Sequence, residues 1–269
     1  MPRATTADGV ELHWEERGEG TTVILTTYWS MHPTVFEPLT RELETNHRVV
    51  RYDDRGCGES TRVGPYDLDT GAADLEAVCE AVGADAAVAI AMVDGANKAV
   101  RVAHRRPDLI EQVVGVGSAP VPREAFAGSD SMISSETVVG AFMQMLDTDF
   151  RGAMRTMMET TNPQMSADEL RERTQMQVDY TPRESAAARV TAWAEDHEGI
   201  EPARALGERF TILVGDHVGG GWFPNAAKMA EVFRETFPEA RIERIADGLV
   251  SAPELTAAVV RERTRSLAR

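Results

Sequence analysis

Apolar and polar positions alternate along the chain with two different periods, and turn residues separate the segments. Short apolar or two-residue-periodic runs predict strands at 10–16, 21–27, 48–53, 86–92, 110–116, 210–214 and 241–245. Helical periodicity predicts helices between them, at 35–45, 69–82, 95–106, 226–237 and 253–267. The run 86–92 is wholly apolar, as expected for a strand buried on both faces. This alternation predicts an α/β fold with a mostly parallel sheet.

Between residues 121 and 200 the pattern changes to helices alone. Eight of the twelve methionines lie there: Met132, Met143, Met145, Met154, Met157, Met158, Met165 and Met176. We therefore predict a core formed by residues 1–120 and 201–269, with a helical lid at 121–200. Methionine is flexible and polarizable, so these side chains could line an adaptable apolar pocket, or they could simply pack the lid helices together.

Composition narrows the classes of partner. The formal net charge of −16 argues against binding to nucleic acid or to an anionic membrane surface. The two cysteines, Cys57 and Cys79, imply no disulfide framework. The first residues lack the apolar region of a leader, and no run approaches the length of a membrane span. We expect a cytoplasmic protein with no nucleic-acid or membrane partner. The composition does not decide the oligomeric state, and a homodimer is one possibility.

Three segments together resemble framework motifs of the α/β-hydrolase superfamily. They are DGVELH at 8–13, YDDRGCGES at 52–60 and AHRRPDLI at 103–110. Each motif is weak alone, but their order and spacing cover nearly the whole chain. The resemblance implies an α/β-hydrolase fold, with a mostly parallel eight-stranded sheet, helices on both faces and a helical lid.

The same resemblance places Val93 at the position of the catalytic nucleophile. In the superfamily, a sharp strand-to-helix turn carries Ser, Cys or Asp between two small residues. Here Ala91 and Gly95 supply the small residues, but the residue between them is Val93, which has no nucleophilic atom. The segment is therefore that of a hydrolase without its attacking group.

The other catalytic positions also differ from the family pattern. Hydrolysis needs a histidine base, an acid that orients it, and two backbone N–H donors for the oxyanion. The acid position after the seventh strand is Val218, and the base position after the eighth strand is Leu249. The His-Gly pair expected after the third strand is replaced by Thr27 and Tyr28. The resemblance thus implies the fold without the usual hydrolytic chemistry.

Asp94, directly after the turn, allows three interpretations. As a nucleophile it would need a shifted frame, which puts the large Met92 where a small residue is required. As a polar group near the pocket floor it could have a raised pKa and act as an acid or base. As a carboxylate at a helix N-terminus it could simply interact with the helix dipole.

The predicted site combines a few polar groups with an apolar lining. The candidate catalytic residues are Asp94, His217, His32 and Tyr28, although a histidine beside the vacated acid position is more often structural. The predicted substrate-binding residues are Thr27, Trp29, Val93, Met143, Met145, Trp193, Val218, Trp222 and Leu249. No spacing of histidines or carboxylates suggests a metal, and the glycines at 219–221 lack the context of a dinucleotide site, so no cofactor is expected.

Four functional hypotheses follow. The first is a non-hydrolytic enzyme of isomerase, lyase or cyclase type that acts on a largely apolar small molecule, in keeping with bacterial specialised metabolism. The second is a catalytically inactive small-molecule binding or regulatory protein. The third is a pseudoenzyme that pairs with another subunit, which predicts an exposed apolar patch. The fourth is a hydrolase with relocated catalytic residues.

Overall fold

The computed structural model describes residues 2–26, 28–29, 31–215, 221–245 and 253–267. Within them, one eight-stranded sheet has the order β1-β2-β4-β3-β5-β6-β7-β8. Its strands are β1 Arg3–Thr5, β2 Glu11–Arg17, β3 Thr21–Thr26, β4 His47–Tyr52, β5 Ala87–Ala91, β6 Ile110–Val116, β7 Phe210–Gly215 and β8 Arg241–Ile245. Strand β2 is antiparallel to both neighbours, and the pairs from β4 to β8 are parallel.

Helices cover both faces of the sheet. They are α1 Glu37–Leu43, α2 Leu68–Ala81, α3 Asp94–Arg105, α4 Glu136–Thr148, α5 Phe150–Thr161, α6 Ala167–Tyr180, α7 Arg183–Ala194, α8 Ile200–Leu206, α9 Ala226–Thr236 and α10 Pro253–Leu267. Side chains of β5 alternate between two buried clusters, Ala89 on one face and Val88 and Ile90 on the other. A wholly apolar strand is therefore what this position in the sheet requires.

The helical insertion between β6 and β7 consists of α4, α5, α6 and α7. Side-chain caps begin three of these helices, including a reciprocal capping box between Ser166 and Glu169 at α6. An apolar cluster built largely from methionines of the insertion and Phe142 also includes Met31 and Trp222, which lie outside the insertion. Helix α8, by contrast, packs on α3 and contributes Ala203 and Leu206 to the main core.

Buried polar contacts join the insertion to the rest of the molecule. The Tyr180 hydroxyl donates to Asp53 at 2.8 Å, and the Arg189 guanidinium donates to the carbonyl of Arg55 at 3.0 Å. Asp196, just after α7, pairs with Arg101 of α3 at 2.7 Å. The insertion is therefore fixed at several points, and its helices have defined positions above the carboxyl ends of the strands.

Most sequence-based boundaries agree with the structure to within one or two residues. The largest difference lies at 35–45, where a 3₁₀ turn, Pro33–Phe36, precedes the α-helix Glu37–Leu43. Pro38, in the first turn of α1, lacks the N–H that would continue the helix backwards, which explains the break. The short edge strand β1 carried no periodic signal and was not predicted at its position.

Candidate functional site

The turn between β5 and α3 keeps the strained backbone of a nucleophile elbow. Val93 has φ 45° and ψ −122°, a conformation that a β-branched residue rarely adopts. The turn is closed by hydrogen bonds from the Gly95 N–H to the Met92 carbonyl at 2.8 Å and from the Ala96 N–H to the Val93 carbonyl at 3.0 Å. The elbow thus has its shape, but its apex presents an isopropyl group.

Asp94 lies beneath this turn and is fully buried. Its Oδ1 accepts a hydrogen bond from the backbone N–H of Trp29 at 2.6 Å, and its Oδ2 lies 3.4 Å from the Lys98 ammonium. Trp29 itself has φ 43°, so the loop after β3 is held in a left-handed conformation at the contact. Burial raises the pKa of Asp94, while the nearby Lys98 opposes that rise.

Lys98 extends this contact into a network of buried charges. Its ammonium lies 3.0 Å from the nearer carboxylate oxygen of Asp54, and both side chains are fully buried. Arg189 of α7 lies 3.9 Å from the other oxygen of the same carboxylate. Two carboxylates thus face one ammonium and one guanidinium, which compensates charges that could not be buried singly.

Above the turn is an open cleft of about 1460 Å³ between the sheet and the insertion. Its apolar lining comes from the elbow, the loop after β3 and the insertion. These lining side chains are Tyr28, Trp29, Met31, Val35, Met92, Val93, Val116, Met157, Met158, Met165, Met176, Trp222 and Phe223. Charged side chains lie on α1 and α6 at the two sides of the cleft. A cleft of this size and lining suits an apolar small molecule.

Five of the predicted site residues line this cleft together: Tyr28, Trp29, His32, Val93 and Trp222. They come from three separate segments of the chain, which the fold brings to one end of the sheet. The predicted site is therefore located at the cleft, although a role for these residues in binding or catalysis stays a prediction.

Four other predicted residues lie elsewhere. Asp94 is sealed below the elbow and does not line the cleft, because its carboxylate is engaged by Trp29 and Lys98. Met143 and Met145 pack within the insertion, and the methionines that line the cleft are others. Trp193 supports the lining from behind, with its ring 5.3 Å from that of Trp29. Thr27, His217, Val218 and Leu249 lie outside the described residues.

His32 and Tyr28 are the titratable predicted residues that line the cleft. The Thr34 backbone N–H lies 3.3 Å from the Nδ1 of His32, so this nitrogen accepts and the neutral ring carries its proton on Nε2. Burial lowers the pKa of His32. Burial also raises the pKa of Tyr28 to about 12. Both groups are consequently uncharged near neutral pH.

Comparison with solved structures settles the fold. An esterase from Exiguobacterium antarcticum superposes with a TM-score of 0.81, at 18% identity over 97% of this chain and 99% of that one. A bromoperoxidase from Bacillus anthracis gives 0.76 at 18% identity over 96% and 98%. The fold is that of the α/β-hydrolases. At this identity the superposition shows the fold alone.

Sequence comparison points to the α/β-hydrolase superfamily as well. A pimeloyl-[acyl-carrier protein] methyl ester esterase of Aliivibrio salmonicida is 28% identical over 141 residues, 52% of this chain and 51% of that protein. The chain matches only about half the length of such curated relatives. No protein-family model matches the chain. The relatives found include esterases, haloperoxidases and hydrolases, together with a polyketide synthase that matches over 27% of this chain.

The α/β-hydrolase fold gives the Asp94–Trp29 contact a chemical meaning. In hydrolases of this fold, the oxyanion is bound by the N–H of the residue after the nucleophile and by an N–H from the loop after the third strand. Asp94 follows the elbow residue, and Trp29 lies in that loop. The loop N–H that could serve as a donor is here bonded to the Asp94 carboxylate, so it is occupied within the protein.

Several residues of the site were missed from the sequence. Lys98 and Asp54 were not singled out, although a lysine four residues after Asp94 on a helix could have signalled an ion pair. Gln177 was also missed: its side-chain oxygen accepts from the His32 N–H at 2.8 Å across 145 residues of chain. No local signal in the sequence indicates such a long-range contact.

The described part of the chain offers no group of three or more His, Cys, Asp or Glu side chains arranged for a metal ion. Among the helices that the structure describes, none combines the length and the apolar character that a membrane crossing requires.

Proposed function

We propose that the protein is a non-hydrolytic enzyme of lyase, isomerase or cyclase type that acts on a largely apolar small molecule in the cleft. The observation that carries this proposal is the elbow itself. Its backbone is that of a nucleophile turn, yet its apex is Val93 and the nearby Trp29 N–H is bonded to Asp94. Hydrolysis by acyl transfer would lack both its attacking atom and one of its oxyanion donors.

The apolar floor favours reactions in which shape and orientation do most of the work. A cleft can lower a barrier substantially by holding a flexible substrate in one reactive conformation. Met92, Val93 and Val116 form a floor of hydrocarbon and thioether groups where a hydrolase would place its reactive side chains. Such a surface keeps water from the substrate, which suits eliminations, isomerisations and cyclisations.

His32 and Tyr28 are the proposed catalytic residues. A neutral imidazole protonated on Nε2 can donate a hydrogen bond to a carbonyl or hydroxyl group of the substrate. The Tyr28 hydroxyl, uncharged below its pKa of about 12, is a second donor. Asp94 was also a candidate from the sequence. Its carboxylate would act only indirectly, by holding the loop that carries Trp29 in position.

A binding protein without turnover is the second candidate. It is favoured by the burial of Asp94, which leaves His32 and Tyr28 as the predicted catalytic residues in the described cleft lining. A partner subunit docked through an apolar patch has little support, since the exposed large apolar side chains among the described residues are the single Val63 and Val138.

The test is mass spectrometry of small-molecule extracts from the source organism, incubated with the wild-type protein, with His32→Gln and with Tyr28→Phe. A compound converted to an isomer, or to a product that has lost water or a small fragment, supports the enzyme. At least one of the two variants should then lower turnover by about a hundredfold. His104→Gln, on an exposed position of α3, is the matched control and should leave turnover unchanged.

A compound that is retained but chemically unchanged would select the binding protein instead. Release of an alcohol or acid by hydrolysis would refute both candidates. The pH profile adds a second check. Protonation of His32, whose pKa burial lowers below the usual 6.5, leaves the Nε2–H in place, so turnover that needs this donor should not be lost as the pH falls through that range. A loss of turnover there that is absent from His32→Gln would contradict a donor role for His32.

A further inference from the structure

The side chains that line the cleft indicate which class of molecule it binds, and the inference drawn from them rests on the proposed function. The walls are rich in sulfur and in aromatic rings, whereas charge is confined to the rim. Six thioether side chains line the cleft, those of Met31, Met92, Met157, Met158, Met165 and Met176. Four aromatic side chains share the lining: Tyr28, Trp29, Trp222 and Phe223.

Three of these rings, Trp29, Trp222 and Phe223, are connected in one array through Phe142 and Trp193, which do not line the cleft. Three of the four ring pairs are edge-to-face, and the Trp29–Phe142 pair is tilted at 32°. Trp222 lies 4.8 Å from Phe142 at an interplanar angle of 68°, and Phe142 lies 6.4 Å from Trp29. Trp193 continues the array, with ring centroids 5.3 Å from Trp29 and 6.1 Å from Phe223. Ring pairs at these distances and angles attract through their quadrupoles, beyond simple burial of area. A planar ring that entered the cleft would extend this array.

The methionines reinforce the same preference. A thioether sulfur near the edge of an aromatic ring is attracted to it through polarizability, which a saturated hydrocarbon does not offer to the same degree. Met157 and Met158 belong to the same apolar cluster as Trp222 and are buried, whereas Met165 and Met176 are half-buried and open toward the cleft. The insertion therefore contributes four methionine side chains to the lining of the cleft.

Charge is arranged to exclude anions. All six charged side chains in the described lining belong to α1 and α6: Glu37, Arg41, Glu42, Glu169, Glu172 and Arg173. Carboxylates outnumber guanidinium groups among them, and the whole chain has a formal net charge of −16. An anionic ligand would meet repulsion at the rim and lose its hydration on the apolar floor.

We propose that the cleft selects an uncharged, conjugated ring system over an anionic or a saturated molecule of the same size.

The experiment compares three probes of one carbon skeleton by equilibrium dialysis at pH 7. They are anthracen-9-ylmethanol, its perhydro analogue and anthracene-9-carboxylate. The aromatic alcohol should bind at least about tenfold more tightly than either of the others, because several ring and sulfur contacts each contribute about two- to tenfold. Equal affinity for the two alcohols, or tighter binding of the carboxylate, would overturn the inference while leaving a functional cleft.

Two double variants separate the contribution of cleft sulfur from general packing. Met165→Leu with Met176→Leu keeps side-chain volume in the cleft and should reduce the preference for the aromatic alcohol to about threefold, with the perhydro affinity unchanged. Met143→Leu with Met145→Leu is the matched control, since those methionines are equally half-buried in the insertion but do not line the cleft. Identical behaviour of both variants would contradict the sulfur argument. Failure of all three probes to bind would count against the proposed function itself.

Discussion

The two sides of the turn at Val93 differ sharply in their chemistry. Beneath it, Asp94, Lys98 and Asp54 form a fully buried group of charges. Above it, the cleft floor is apolar, and the neighbouring titratable side chains, Tyr28 and His32, are uncharged near neutral pH. In a hydrolase of this fold the reactive polar groups stand above the turn. Here the ionised groups that contact it lie below.

This difference shows which contacts hold the strained turn in place, apart from any nucleophile at its apex. The positive φ of Val93 costs of the order of 1–3 kcal/mol and persists only if surrounding contacts determine it. The Trp29–Asp94 hydrogen bond fixes the first turn of α3 to the loop after β3, and the Lys98–Asp54 ion pair fixes the next turn to the loop after β4. The elbow is therefore supported as architecture, independently of any nucleophile.

The largest effect is expected from removing the charge beneath the turn. Lys98→Met removes the ammonium that the two buried carboxylates, Asp54 and Asp94, both face. We expect a loss of about 3–5 kcal/mol in the free energy of unfolding, measured by chemical denaturation. Lys228→Met, which removes the exposed partner of Glu231, is the control and should cost less than about 1 kcal/mol. Comparable losses of unfolding free energy for the two variants would show that the buried charges beneath the turn do not stabilise the fold more than a surface ion pair does.

A smaller effect is expected from freeing the Trp29 N–H, so that it can donate a hydrogen bond to a group in the cleft above the turn. The background restores the catalytic positions as Val93→Ser, Val218→Asp and Leu249→His. Adding Asp94→Ala frees the Trp29 N–H, whereas adding Asp94→Asn retains an amide oxygen that can still accept it. Hydrolysis of p-nitrophenyl acetate should be about a hundredfold faster with alanine than with asparagine, the size of one oxyanion donor. Equal rates would mean that the Asp94 contact does not occupy an oxyanion donor.

The smallest effect concerns Val93 itself. Val93→Gly removes about 1–2 kcal/mol of apolar burial but also relieves strain of similar size, so the free energy of unfolding should stay within about 1 kcal/mol of wild type. Val88→Gly, in the buried strand β5 with an ordinary backbone, should cost about 3–4 kcal/mol. Denaturation of both variants tests this directly. A loss at Val93 as large as that at Val88 would show that the turn stores no strain.

The framework of the fold was predictable because it follows from local periodicity. The apolar strand at 86–92, the helix that ends before Pro107 and the helical block after 121 are all signalled by neighbouring residues. The position of Val93 at a strained turn was implied by the resemblance to the α/β-hydrolase superfamily, in which Ala91 and Gly95 are the small flanking residues. Strand β1 was harder to predict, because a strand of three residues is too short to show a recognisable periodic pattern.

The side-chain arrangement of the site was less predictable, for a physical reason. Whether Asp94 faces the cleft or the core depends on Trp29, which is 65 residues away, and on Asp54, which reaches it through Lys98. Likewise, the packing of the insertion decides that Met165, in the loop before α6, lines the cleft and that Met143, on α4, does not. Contacts between distant segments decide such orientations, and periodicity does not report them.

The polar contacts that fix the insertion have a consequence for the kinetics of ligand exchange. Swinging the insertion away from the sheet would break the contacts of Tyr180, Arg189 and Asp196 together, and each is buried and charge-assisted or hydrogen-bonded. Such opening should be rare, so we expect a bound molecule to leave past α1 and α6, whose charged side chains line the cleft. There the exposed side chains of Arg41 and Arg173 change rotamer within nanoseconds. The lifetime of a complex should then depend on the free energy of binding and on small movements of the side chains on α1 and α6.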